Sequence, residues 1–209
     1  KTNKIEYLSV RYSMPEWIVT QWIADYGMEQ TKNVLQAFLK EAPLTIRTNL
    51  SKITPEELEM RLKAEGVQAE KIICEEAPQL DYAFQIFGFD YLNRLESFRE
   101  GLFYVQDISS MLVAELADPK ENDFVIDVCA APGGKSVHLA EKLHGTGMVE
   151  ARDLTEYKVE LIQENIERHQ LSNMCAVQKD ATVLDEASVG KADVVIADLP
   201  CSGLGVMRK

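Results

Sequence analysis

In the N-terminal part of the chain the apolar positions fall three and four apart: Trp17, Ile18, Trp22, Ile23 and Tyr26, then Val34, Leu35, Phe38 and Leu39. That spacing predicts two helices, the first opened by Pro15 and ended near Gly27. Both tryptophans are expected in the core. Residues 1–11 read as a polar lead-in. The period shortens to two over Leu44-Thr45-Ile46-Arg47-Thr48, as in a strand. Thr54-Pro55-Glu56-Glu57 then has the marks of a helix start: a hydroxyl cap, proline at the first position and Glu three residues past the cap. That helix carries Leu58, Met60 or Arg61, and Leu62, and stops at Gly66. Short strands are predicted at 71–74, 83–87 and 102–105. The chain thus opens with a helical lead-in, 1–41, and a small α+β subdomain, 42–105.

From 106 to 209 strand and helix patterns alternate. A helix through Met111, Leu112, Ala114 and Leu116 is capped within 106–110 and closed by Asp118-Pro119. Strands follow at 124–129, 148–153, 175–179 and 192–197, with helices at 134–143 and 156–170. The first of these helices turns Val137, Leu139, Ala140 and Leu143 inward. Repeated βα units imply an α/β fold with a parallel, doubly wound sheet, whose ligands sit past the carboxyl ends of the strands.

The stretch Asp127-Val-Cys-Ala-Ala-Pro-Gly-Gly-Lys-Ser136 joins the first strand to its helix. Gly133 and Gly134 permit a sharp turn and a close ligand, and the helix behind them offers unpaired N–H groups to a carboxylate or phosphate. The loop is neither GxGxxG nor a P-loop, and an ordinary βα turn is the alternative reading of the loop by itself. Each predicted strand, however, ends in an acid: Asp127, Asp153, Asp180 and Asp198. Crowded carboxylates need donors or a cation nearby. Asp153 suits the two hydroxyls of a ribose and Asp180 an exocyclic amine, unless either is a helix N-cap. S-adenosylmethionine carries a ribose, an amino group and a positive centre, and so fits the set. Cys201, after Asp198-Leu199-Pro200, adds a thiol at the same rim.

Composition narrows this little. The 209 residues, 46% hydrophobic and 27% charged, describe an ordinary globular protein with no membrane-length apolar run or signal sequence. Cys74, Cys129, Cys175 and Cys201 form no CxxC pair, which indicates neither zinc nor a disulfide framework and fits reduced thiols in the cytoplasm. A net charge of −12 argues mildly against nucleic acid. Arg47, Lys52, Arg61, Lys63 and Lys71 form either an RNA-facing patch or a solvated face. His138, His144 and His169 read as surface or satisfied core residues. The chain opens on Lys1 and stops just after a glycine-rich segment, like a piece of something longer.

DVCAAPGGKS and DLPCSGLGV together closely resemble the paired motifs of the RNA cytosine-5 methyltransferases of the Nop/Sun family. YSMPEWIV, PLTIRTN and FYVQDISSM point to the bacterial Sun type, which methylates small-subunit (16S) ribosomal RNA, and the resemblance runs over nearly the whole chain. It implies a class I S-adenosylmethionine methyltransferase (Rossmann-like) sheet, C-terminally incomplete here. Cys129, Ala130, Ala131, Pro132, Gly133, Gly134 and Lys135 would line the methionine end of the cofactor. Asp153 would hold the ribose, Asp180 the adenine side, and Asp198 would face both cofactor and base. In such enzymes a thiolate from a later Thr-Cys motif adds to carbon 6 of an unpaired cytosine, and the Pro-Cys thiol, here Cys201, assists product release. The later motif does not occur in this sequence, nor does an RNA-binding helical domain ahead of Lys1. The piece is therefore expected to bind cofactor without turnover, and strand 192–197 to expose an edge that another chain segment covers. Transfer RNA or large-subunit RNA as target, or an RNA-binding module that kept the fold and lost the chemistry, remain the alternatives.

Overall fold

The computed structural model describes residues 3–39, 44–75 and 77–201. The predicted boundary at 41–42 and the glycine-rich run from Ser202 onward lie outside the described residues. The chain divides into two compact units, one built on the N-terminal helices and one spanning Pro43–Pro200.

In the first unit, α1 (Lys4–Tyr12) occupies the stretch expected to be a polar lead-in. Asn3 caps it by accepting from the Ile5 N–H at 3.1 Å, and Leu8 and Tyr12 are buried, a helical stripe masked in sequence by the charges between them. α2 (Glu16–Phe38) breaks at Gly27 (φ 79°), where the sequence predicts its division. Ile18, Val19 and Leu35 face inward, and the Trp22 ring stacks on Phe38 at 5.9 Å. Trp17, expected in the core, is 63% exposed instead, because its neighbours Ile18 and Val19 take the inward positions.

The second unit opens with β1 (Leu44–Thr48), α3 (Pro55–Ala64), β2 (Gln68–Lys71), β3 (Ala83–Phe87), α4 (Glu96–Arg99) and β4 (Phe103–Val105). Their antiparallel order, β2-β3-β1-β4, makes the split βαβ sheet of ferredoxin-like folds. The capping box of α3 forms as predicted: the Thr54 hydroxyl accepts from the Glu57 N–H at 3.2 Å, and the Glu57 carboxylate accepts from the Thr54 N–H at 3.0 Å. β2 sits three residues earlier than predicted, since pairing Lys71 with Phe84 leaves Ile73 outside the ladder and exposed.

The chain continues through α5 (Ile108–Ala117), β5 (Phe124–Asp127), α6 (Gly134–Lys142), β6 (Met148–Asp153), α7 (Glu156–His169), β7 (Met174–Gln178) and β8 (Val194–Ile196). All four strands are parallel, in the order β7-β6-β5-β8, a Rossmann-like arrangement. Val137, Leu139 and Ala140 of α6 and its C-cap Leu143 are buried in one core with Val125, Val149 and Ile162, on the face the sequence predicts.

The two sheets are tied together by a buried polar cluster. Arg47, placed by the sequence reading among possible RNA contacts, is 1% exposed and forms an ion pair with Glu141 of α6. Its Nε also donates to Gln106 at 2.8 Å. His169 Nδ1 lies 3.2 Å from both Glu141 and the Asn49 amide, and Asn49 donates to the Gly101 carbonyl at 2.9 Å. Burial works against the Glu141 charge, yet Arg47 and His169 together outweigh it and hold the carboxylate below its ordinary range. His169 is pushed down by burial and stays neutral at pH 7. Of the other basic residues, Arg61 pairs with Glu65, Glu96 and Glu100, Lys71 with Glu56, and the Lys52 ammonium donates to the Glu100 carbonyl at 2.7 Å.

Removing one partner of a buried pair strands the other charge, so Glu141→Ala should cost about 3–5 kcal/mol, whereas Arg47→Met with Glu141→Leu should recover most of that loss. Urea unfolding of the three proteins checks this. A double variant as unstable as Glu141→Ala would contradict it.

Candidate functional site

Beyond the end of β5 the chain turns tightly back into α6. The Ala130 N–H donates to the Arg152 carbonyl at 2.8 Å, and Gly133 N–H to the Ala130 carbonyl at 2.7 Å, closing the turn around a cis Ala131–Pro132 peptide. Gly133 has φ 105°, a conformation costly to any residue with a Cβ. Gly134 serves a different need: a Cβ there would lie 2.8 Å from Cε1 of Tyr104. The Pro132 carbonyl accepts from the Asn165 amide of α7 at 2.9 Å.

Two strand-end acids are built into this loop. Asp127 is 1% exposed and accepts from the Ser136 hydroxyl at 2.6 Å and the Cys129 N–H at 3.4 Å. Burial nonetheless raises its pKa above the usual carboxylate value. Asp153, also buried, accepts on Oδ2 from the Ala131 N–H at 3.0 Å. Its Oδ1 accepts from the Leu154 N–H at 2.8 Å and lies 3.0 Å from the Lys158 ammonium. Burial favours the neutral form of Asp153, but Lys158 and the two N–H donors outweigh it and keep the group below its ordinary pKa. Asp153 is not the cap of α7, a position that belongs to Thr155.

Asp198 is exposed and pairs with Lys135 of the loop at 2.7 Å. Burial, then Asp153 and Asp127, push the Cys129 thiol up, so it stays protonated and lines the loop without being activated. Asp180 accepts from the N–H and hydroxyl of Thr182 at 2.8 and 2.7 Å, which lowers its pKa. It borders a cavity of about 550 Å³ together with Val128, Arg152 and Thr182. Cys201 is exposed.

The structure thus gathers Asp127, Cys129–Lys135, Asp153 and Asp198 into one constellation, with Asp180 one residue beyond Lys179, whose N–H bonds the Asp153 carbonyl at 2.9 Å. Sequence reasoning missed Lys158, Asn165 and Tyr104, none of which belongs to a motif. The donor set suits a nucleoside bearing a positive centre. Asp153 Oδ2 keeps a lone pair beside its single donor, the first turn of α6 presents unpaired N–H groups, and Asp127 and Asp198 supply negative charge. Among the described residues no three His, Cys, Asp or Glu groups gather as a metal ion requires. No helix there is long and apolar enough to cross a membrane.

A family model described as "16S rRNA methyltransferase RsmB/F" matches residues 114–209, and the ferredoxin-like domain of RsmF/B-like methyltransferases matches 14–86. The chain is 37% identical over 209 residues to the probable ribosomal RNA small subunit methyltransferase B of Bacillus subtilis (strain 168), covering 99% of this chain and 45% of that protein. It is 40% identical over 123 residues to the tRNA (cytosine(72)-C(5))-methyltransferase of Pyrococcus horikoshii, covering 59% of this chain and 31% of that one. The crystal structure of PH0851 superposes with a TM-score of 0.86 at 27% identity, over 99% of this chain and 46% of that one. The structure of NSun6 from Pyrococcus horikoshii with SFG shares the fold, with a TM-score of 0.79 at 22% identity over 91% of this chain and 71% of that one. The chain spans about half the length of the small subunit methyltransferases B that it matches.

The raised Asp127 pKa has a defined sign. The folded state binds its proton more tightly than the unfolded state, so stability falls as pH rises from the ordinary carboxylate value through the raised one. Asp127→Asn, which can still accept from Ser136, should therefore raise the unfolding midpoint at pH 7 and match the wild type in acid. Thermal unfolding across pH measures both, and a lower midpoint at pH 7 would refute the sign.

Proposed function

This chain belongs to the 16S rRNA methyltransferase RsmB/F family, and from that premise we propose that its strand-end cleft binds S-adenosylmethionine for methylation of carbon 5 of a cytosine in 16S ribosomal RNA. When bound, S-adenosylmethionine supplies an electrophilic methyl group on a sulfonium. The observation that carries the reading is Asp153, held ionised and clamped to the Pro-Gly-Gly turn by the Ala131 N–H. There it accepts from the ribose hydroxyls, while the first N–H groups of α6 receive the carboxylate and Asp180 meets the adenine side. In this reading Asp198, paired with Lys135 at 2.7 Å, faces cofactor and base.

The target chemistry defines the remaining roles. A thiolate adds to carbon 6 of the cytosine, carbon 5 then takes the methyl group, and loss of its proton expels the thiolate and restores the ring. In this reading Cys201 assists that release, with the attacking thiolate supplied by a Thr-Cys motif of the kind the family carries. Transfer RNA is the second reading, favoured by the 40% identity to the Pyrococcus horikoshii tRNA methyltransferase.

Calorimetric titration should find S-adenosylmethionine binding that Asp153→Ala weakens by at least about tenfold, the worth of one charge-assisted hydrogen bond. Equal affinity in the two proteins would remove the ribose assignment. Mapping 5-methylcytosine in a deletion strain decides the target: a site lost from 16S ribosomal RNA supports the first reading, and one lost from transfer RNA the second.

A further inference from the structure

Tyr104 belongs by backbone to β4 of the small sheet, yet it is part of the core cluster of the parallel sheet, which also holds Ala130 and Val137. It is 6% exposed and presses its edge on the backbone of Gly134. We propose that Tyr104 is a positioning residue for the methyl-donor loop, the means by which the small sheet sets the height of the turn; this deepens the reading above and rests on it.

The argument turns on why residue 134 is glycine. Gly134 is the first residue of α6 and lacks the positive φ of Gly133, so its backbone suits alanine, the stronger helix former. The constraint is therefore one of space. A Cβ would meet Cε1, Cζ and Cδ1 of Tyr104 at 2.8, 3.4 and 3.5 Å. Other groups crowd the ring. The His169 ring stands 5.4 Å from it, and the Arg168 guanidinium 5.3 Å from its centroid. Arg168 is itself held by Asn165 at 2.6 Å, the residue whose amide grips the Pro132 carbonyl, and the Tyr104 hydroxyl reaches toward that same carbonyl at 3.5 Å. The turn is therefore held by contacts with both Tyr104 and Asn165. A side chain added at 134 displaces the turn, because the ring has nowhere to retreat.

The rival explanation is that Gly134 clears space for the ligand itself. A double-mutant cycle separates the two, using the full chain, S-adenosylmethionine and calorimetry, with thermal unfolding in parallel. Gly134→Ala should weaken binding by about tenfold or more. Tyr104→Phe, which keeps the ring edge, should bind like the wild type. Tyr104→Leu, which keeps apolar bulk but withdraws the edge, should weaken binding by about threefold at an unfolding temperature well above that of the assay. Combining Gly134→Ala with Tyr104→Leu should bind more tightly than Gly134→Ala alone. If Gly134→Ala does not fold, rescue of its folding by Tyr104→Leu supports the contact equally. A double variant no better than Gly134→Ala, in binding or in folding, overturns the assignment in favour of ligand clearance. No binding by the wild type defeats the methyl-donor reading first, and this one with it.

Discussion

The buried pair between Arg47 and Glu141 is the constraint on which the second unit depends. An arginine on the central region of a small antiparallel sheet and a glutamate on a Rossmann-type helix would each be prohibitively desolvated alone. Together with Gln106, Asn49 and His169 they partner one another at one relative placement of the two sheets, although Arg47 Nη2, Gln106 Nε2, Glu141 Oε1 and His169 Nε2 are left without a hydrogen-bond partner among the described residues. Hydrophobic packing tolerates sliding, and a directed ionic contact tolerates far less. The cluster gives little net stability for its desolvation cost, but it fixes geometry.

Geometry is what the strand-end site requires. Glu141 lies on the same helix that begins at Gly134, so α6 is anchored near one end by the small sheet's Arg47 and touched at the other by the same sheet's Tyr104. The helix that leads out of the β5–α6 turn is therefore held near both of its ends. The site's acids are then placed by short-range bonds: Asp127 by Ser136, Asp153 by Ala131, Asp198 by Lys135. Each carboxylate is paired with a donor from the loop or the start of α6, which is how several negative groups share one sheet edge.

Much of this was legible in sequence where local rules decide. The capping box at Thr54, the break at Gly27, the Pro-Gly-Gly turn and the buried face of α6 all follow from spacing and turn chemistry. What stayed hidden depends on distant partners. Nothing near Arg47 marks it as internal, since its counter-charge lies 94 residues away. Tyr104 reads as any strand aromatic until the fold brings Gly134 beneath it. Lys158 has no motif to announce that it neutralises Asp153. α1 was overlooked for a different reason: charges interleaved with Ile5, Leu8 and Tyr12 hide a short amphipathic stripe.

The ring edge lodged on Gly134 also bears on inheritance. A turn shaped around an aromatic from another sheet cannot be transplanted by itself. A chimera that took the segment from β5 onward from one relative and β4 from another would inherit a floor and a loop made for different heights. Bulk at 104 and its absence at 134 should therefore drift as a pair among descendants, each substitution tolerated only once the other has made room.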